Sequence, residues 1–136
     1  MSTSAISYRQ LALYVAATSY IIVGVAHFTH AAFFVRIMPP GLPEPLWLVW
    51  ISGAAEVLGG IGLLIAKTRK AAGYGILALL VAVYPANIYM AMQPELFSDL
   101  GSQAALYARL PVQLVFAAWV IWVAQLRHPE PKSPKH

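Results

Sequence analysis

Four long apolar runs lie almost end to end in this chain, and each contains at most one formally charged residue. They cover residues 11–28, 46–66, 71–94 and 104–126, and the two charged residues are Glu56 and Arg109. A helix needs about 20 mostly apolar residues to cross the hydrocarbon core of a bilayer. A water-soluble helix would carry charges at regular intervals along one face, which these runs do not. The pattern therefore predicts an all-α integral membrane protein, a bundle of four transmembrane helices.

These runs use almost the whole chain, so we expect a single transmembrane domain over residues 1–126. Its helices are predicted at about residues 8–29, 46–66, 71–92 and 104–126. Residues 39–45 contain four prolines and cannot form regular helix. The apolar residues before them, within residues 33–38, predict a short interfacial segment on the outer face. Residues 127–136 contain three prolines and several charges, and we predict a disordered basic tail there.

Basic residues are distributed unevenly between the two ends of the predicted bundle. The N-terminal segment, the loop between the second and third spans, and the tail share one side in a four-span protein. Short basic loops stay in the cytoplasm, so both termini are predicted to be cytoplasmic. The net charge of +4 then reflects membrane topology, and we expect the lipid bilayer, not nucleic acid, as the surrounding partner. Seven of the nine Lys and Arg residues lie on that side, namely Arg9, Lys67, Arg69, Lys70, Arg127, Lys132 and Lys135.

The strongly polar side chains of the spans are concentrated towards one end, predicted to be the outer one. At a rise of 1.5 Å per helical residue, Glu56 lies roughly 15 Å below that end, Gln113 roughly 13 Å, Asn87 roughly 10 Å and Arg109 roughly 8 Å. An ionisable side chain inside a bilayer is costly and usually marks a functional site. We therefore predict one shared polar pocket in the outer half of the bundle, opening outwards or sideways into the lipid.

Within this pocket, Glu56 and Arg109 form the natural ion pair, because a buried charge without a partner is unfavourable. Such a pair either locks the bundle or belongs to a ligand site, and the sequence leaves both open. Asn87 is likewise either an interhelical hydrogen-bond bridge or a ligand contact. The small residues Ala55 and Gly59, four positions apart, predict a close approach between helices.

His27 and His30 lie three positions apart at the end of the first span, so they project from one side of a helix. Three interpretations remain open for them. They are ordinary interfacial histidines, acid/base groups or quinone-carbonyl contacts, or ligands of a metal site completed by Glu56. No other span contains a histidine, which argues against a haem held between two histidines. The absence of cysteine excludes thiol catalysis by this chain.

Four short motifs follow one another along residues 10–126. They are Gly24-x-x-His27-Phe28, Ser52-Gly53-x-x-Glu56-x-x-Gly59-Gly60, Pro85-Ala86-Asn87 and Arg109-Leu110-Pro111-x-Gln113. In this order and spacing they resemble the DoxX family of small bacterial four-helix membrane proteins. The resemblance implies a quinone-linked or redox-associated role in the bacterial inner membrane.

Together, the polar pocket and the resemblance predict a small membrane subunit that binds a quinone or a similar lipophilic molecule. Its electron donor would be a partner protein, because the chain contains no cofactor motif. Two alternatives are a non-catalytic membrane anchor or assembly factor, and a small-solute transporter, although the lack of an inverted repeat argues against transport. A homo-oligomer is also left open. The predicted catalytic residues are Glu56 and His27, and the predicted ligand contacts are Arg109, Gln113, Asn87 and His30.

Overall fold

A computed structural model describes residues 5–126 and shows an all-α protein, with no strand in that part of the chain. Four of its helices are long and apolar enough to cross a membrane, so the predicted multi-pass helical fold is confirmed. The tail predicted to be disordered, residues 127–136, lies outside the described residues. The helices are α1 (Tyr8–Thr29), α2 (Ala31–Arg36), α3 (Pro45–Leu64), α4 (Arg69–Met92) and α5 (Gln103–Val123), with short 3₁₀ turns over Pro94–Leu100 between the last two.

Local sequence signals explain where the long helices begin. The Ser7 hydroxyl accepts a hydrogen bond from the Gln10 amide, and the Gln10 side chain accepts one from the Ser7 amide, which is a capping box at the start of α1. The Ser102 hydroxyl caps α5 by accepting from the amide of Ala105. Pro45 occupies the start of α3, where its missing N–H is not needed.

The four long helices are arranged in a ring. α1 packs along α3, α3 against α4, and α4 against α5, while α5 returns to a smaller contact with α1. The diagonal pairs, α1 with α4 and α3 with α5, have no close backbone contact among the described residues. Space therefore remains inside the ring, where side chains of all four helices meet.

The closest approach between α1 and α3 depends on glycine. A Cβ added to Gly53 would lie 2.6 Å from the Cβ of His27 and 2.8 Å from the carbonyl oxygen of Gly24. Residues without side chains let helix backbones approach this closely in a membrane. The predicted pair of Ala55 and Gly59 does not make this contact. Ala55 is exposed, and Gly59 lies against Ile76 of α4.

α2 and residues 37–44 lie over one end of the ring, and we call them the cap. An exposed ion pair joins the cap to the 3₁₀ turns. Arg36 Nη1 donates to Asp99 Oδ2 at 2.8 Å, and Arg36 Nη2 donates to Asp99 Oδ1 at 2.6 Å. A further hydrogen bond runs from Arg36 Nη2 to the carbonyl oxygen of Leu96 at 2.8 Å. The cap is therefore held at both sides, by its covalent connections to α1 and α3 and by this bidentate contact.

Acid is expected to loosen the cap. The hydrogen bond from Arg36 holds the pKa of Asp99 below its usual range. A carboxyl with a depressed folded-state pKa contributes its full stabilisation above the unfolded-state pKa, about 3.9, and loses it as the pH falls through the lower folded value. We expect a narrow distance distribution between spin labels at Ala32→Cys and Ser98→Cys at about pH 7, and a broad one once the pH falls below the lowered folded-state pKa of Asp99.

Two variants separate this ion pair from a general effect of acid. Asp99→Asn should give the broad distribution at every pH, because the carboxylate is absent. Glu95→Gln, which removes an exposed carboxylate from the same turns, should respond to acid as the wild type does. An acid response that persists unchanged in Asp99→Asn would assign it to another group.

Candidate functional site

The ring of helices contains a cavity of about 460 Å³ that all four long helices line. Exposed residues of α1 and α5, including Ser19, Val23, Val112 and Phe116, form part of its wall. Exposed residues in the middle of membrane-spanning helices face lipid, so the opening between α1 and α5 faces the bilayer. We call this the lateral cavity.

At the end of the ring away from the cap, α1 and α5 are joined by two hydrogen bonds that close the lateral cavity. Trp119 Nε1 donates to the carbonyl oxygen of Ala12 at 3.2 Å, and Arg9 Nη1 donates to the carbonyl oxygen of Val123 at 3.2 Å. Trp119 also lines the lateral cavity and forms its floor at that end.

A second cavity of about 440 Å³ lies between α1, α3 and α4, beneath the cap. Phe34, Met38 and Leu42 of the cap line it, together with His27 and Ser52. We call this the capped cavity. The two cavities share a wall, and we use that term for the residues that line both: Tyr20, Val23, Glu56, Leu80, Val83 and Asn87.

Glu56 belongs to the shared wall, and its partner is His27. His27 Nδ1 lies 3.3 Å from Glu56 Oε2 and 2.8 Å from the carbonyl oxygen of Val23. A carbonyl oxygen only accepts hydrogen bonds, so Nδ1 carries a proton and donates it. The imidazole ring stacks on Phe34 of the cap, with the ring centroids 3.8 Å apart and the planes 16° from parallel. The ring therefore packs against the cap, its N–H donates to the Val23 carbonyl oxygen, and the Cβ of His27 lies close to Gly53 of α3.

Arg109 lines the lateral cavity without an anionic partner in the described part of the chain. Its Nη1 lies 3.9 Å from the sulfur of Met90. The predicted ion pair between Glu56 and Arg109 is therefore wrong. The reason is the ring arrangement, which places α3 and α5 on a diagonal with the lateral cavity between them. A half-buried guanidinium at a cavity wall keeps several N–H donors for other acceptors.

Asn87 and Gln113 bridge α4 and α5. Asn87 Nδ2 donates to Gln113 Oε1 at 2.5 Å, and Gln113 Nε2 donates to the carbonyl oxygen of Leu80. The neighbouring carbonyl, that of Val81, lacks its intrahelical hydrogen bond, because the residue four positions later is Pro85, which has no N–H. Of the two interpretations for Asn87, this geometry favours the bridge. Gln113 is only 7% exposed, and its side-chain amide oxygen and nitrogen both form hydrogen bonds in the bridge.

His30 lies apart from the other predicted site residues. α1 ends at Thr29, so His30 leaves the helical face that carries His27. Its side chain is exposed, its Nδ1 lies 2.8 Å from the Thr29 hydroxyl, and it lines neither of the two cavities described above. Within residues 5–126, no three His, Asp or Glu side chains are grouped so as to hold a metal ion.

Two residues of the site were not among the predicted ones. Tyr20 lines both cavities, and its spacing of seven residues from His27 places the two on one face of α1, a signal that the sequence contained. Phe34 could not have been found, because its contact with His27 depends on how the cap folds back over the bundle.

Comparison with known proteins gives the family. The sequence model described as "Domain of unknown function (DUF8561)" matches residues 16–124, which include the whole shared wall and Arg109. The chain belongs to this family. No curated protein and no solved structure shows significant similarity to the chain.

The resemblance to the DoxX family was wrong, because the family that matches is a different one. Its motifs consist largely of glycines, prolines and single polar residues. Gly53 and Gly60 pack against α1, and Asn87 and Gln113 join two helices, so several of these residues serve helix packing. Small residues and interhelical polar contacts are general requirements of membrane helix bundles. Quinone and redox roles therefore have no support from a family relationship and depend on the geometry of the site.

Proposed function

We propose that this protein binds a quinone-like lipophilic molecule in the lateral cavity and that Glu56 exchanges protons with it. The observation that carries the proposal is the position of Arg109. A half-buried cation lines an otherwise mostly apolar cavity and has no carboxylate partner in the described chain. An unpaired charge inside a bilayer is unfavourable, so a ligand that accepts hydrogen bonds from it would be bound favourably.

The shape and lining of the lateral cavity suit a molecule that dissolves in the membrane. Its volume of about 460 Å³ is in the range of small-molecule sites, roughly 300–1,000 Å³. Val112 and Phe116 offer apolar and aromatic surface for a ring or the start of a tail. The opening between α1 and α5 faces lipid, so a tail can remain in the bilayer while the head group is enclosed.

The polar groups match the chemistry of a quinone. Arg109 donates hydrogen bonds to one carbonyl oxygen of the quinone, and Glu56 on the opposite wall exchanges a proton with the other carbonyl oxygen. When a quinone accepts two electrons, each carbonyl oxygen gains one proton, so a carboxyl group beside the ring has a function. In this proposal the electrons come from a partner protein.

We further propose that the protein lies in a bacterial inner membrane with both termini in the cytoplasm. The excess of Lys and Arg at the end opposite the cap supports this orientation. The cap and the Arg36–Asp99 ion pair then lie on the outer side.

Ligand-dependent stability tests the proposal. Purified protein is heated in detergent with a decyl-tailed benzoquinone, with decylbenzene, which lacks the carbonyls, and with a long-chain carboxylic acid. A ligand at 100 times its dissociation constant adds about 2.7 kcal/mol of stability. We expect a raised melting temperature with the quinone alone, no rise for Arg109→Ala, and a reduced rise for Glu56→Gln.

Other outcomes would overturn the proposal. A melting temperature raised only by the carboxylic acid would identify an anionic amphiphile as the ligand. The absence of any rise, together with a large loss of intrinsic stability in Arg109→Ala, would favour the alternative of a membrane anchor or assembly factor. Lys67→Ala is the matched control, since it removes an exposed cation far from both cavities and should leave the quinone effect intact.

A further inference from the structure

The two cavities differ in what they connect to. The capped cavity reaches the end of the bundle, because Phe34, Met38 and Leu42 of the cap form part of its wall. No cap residue lines the lateral cavity, which opens between α1 and α5 in the middle of the spans. One cavity therefore leads towards the membrane surface, and the other leads towards the lipid.

Among the described residues that line these two cavities, Glu56 is the only carboxylate, and it lines both. His27 lines only the capped cavity, whereas Arg109 lines only the lateral one. The rest of the shared wall is apolar apart from Tyr20 and Asn87. A proton that crosses from one cavity to the other therefore meets a single carboxylate at the boundary. The other titratable groups that share a cavity with it are Tyr20 and His27 on α1, and Arg109 on α5.

We propose that the capped cavity is a water-filled proton inlet, through which Glu56 is supplied from the membrane surface at the cap end. In the uptake step, an O–H bond of a hydronium ion breaks and a carboxyl O–H bond forms on Glu56. In the release step, that O–H bond breaks and a new one forms on a ligand oxygen in the lateral cavity, which leaves the carboxylate. The release step rests on the proposed function, while the water connection to Glu56 does not.

His27 acts here as a positioning residue. Its Nδ1–H donates to the Val23 carbonyl, and Nδ1 lies 3.3 Å from Glu56 Oε2, so the fixed ring packs against the carboxyl group and keeps it in the shared wall. Stacking on Phe34 restricts the ring, and the close approach of Gly53 to the Cβ of His27 restricts the base of the side chain. The cap fixes this arrangement from above, and the cavity of about 440 Å³ beneath it has room for water and for small hydrophilic molecules.

Thiol labelling tests the inlet directly, since the chain has no cysteine of its own. Glu56→Cys is placed in lipid nanodiscs and treated with a small water-soluble cationic methanethiosulfonate. We expect labelling of this thiol. Adding Ser52→Leu, which fills the capped cavity alone, should slow the labelling at least tenfold. Val112→Phe, which fills the lateral cavity alone, should leave the rate unchanged. Ala86→Leu is a second plug on the α4 wall of the capped cavity, for use if Ser52→Leu does not fold.

Two results would overturn the inlet. One is no labelling of Glu56→Cys while an exposed control thiol, Ser98→Cys, reacts normally. The other is slowing of the labelling by Val112→Phe but not by either plug of the capped cavity, which would assign the access to the lateral side.

The quinone-dependent rise in melting temperature is measured on Ser52→Leu with native Glu56, and we expect it to remain. Labelling of Glu56→Cys without any quinone effect would support the inlet and overturn the proposed function and the release step. A quinone effect without labelling would support the proposed function and overturn the inlet.

Discussion

Gly53→Ala is expected to lower the free energy of unfolding by about 2–3 kcal/mol, a large effect for one methyl group. The added Cβ would lie 2.6 Å from the Cβ of His27 and 2.8 Å from the carbonyl oxygen of Gly24. Both are atoms at or next to the backbone, so no side-chain rotation can relieve the contact. α1 and α3 must move apart along their most extensive interface.

The matched control for this prediction is Gly75→Ala in α4. A Cβ at Gly75 would meet no heavy atom within 4 Å, so the change affects only helix propensity. Alanine is favoured over glycine in a helix interior by about 1 kcal/mol, and we expect unchanged or slightly raised stability. Unfolding of both variants by SDS in mixed micelles gives the comparison. Equal stability of the two would show that the α1–α3 contact is looser than the distances indicate.

The same substitution has a consequence for the site. Gly53 lies directly behind His27, so separating the helices also moves the imidazole relative to Glu56. Under the proposed inlet, Gly53→Ala should therefore alter the labelling rate of Glu56→Cys, whereas Gly75→Ala should not.

The second large effect is expected for Gln113→Leu, which removes the bridge between α4 and α5. The change leaves Asn87 Nδ2 without its acceptor and the Leu80 carbonyl without its interhelical donor. Interhelical hydrogen bonds in membrane proteins contribute about 0.6 kcal/mol each on average and up to about 1.7. We expect a loss of about 1–3 kcal/mol of unfolding free energy, measured in the same micelle titration.

A double-mutant cycle makes this prediction specific. Asn87→Leu and Gln113→Leu should be strongly non-additive, because they remove one shared hydrogen bond. Gln103→Leu is the control, since it replaces an exposed glutamine at the start of α5 and should change stability by less than about 0.5 kcal/mol. Additive effects of the two single changes would contradict the bridge.

Much of the fold could be predicted because its signals are local. A bilayer requires about 20 apolar residues per span, so the four runs identify the spanning helices without tertiary information. The same rise per residue places Glu56, Asn87, Arg109 and Gln113 at similar depths. Depth is set along the chain, and these four side chains do line the lateral cavity together. The family could not be predicted in this way, because short motifs of glycine, proline and polar residues recur wherever membrane helices pack.

The sequence by itself determined the four spans and the clustering of polar side chains towards one end of the bundle, since both follow from hydropathy and helical rise. Only the tertiary structure decided which polar groups meet. The order of the helices in the ring places α3 beside α1 and across from α5, so Glu56 lies next to His27, and Arg109 has no carboxylate partner within residues 5–126. The rotation of α3 about its axis places Glu56 in the shared wall. Both depend on contacts between residues distant in sequence, which no local pattern specifies.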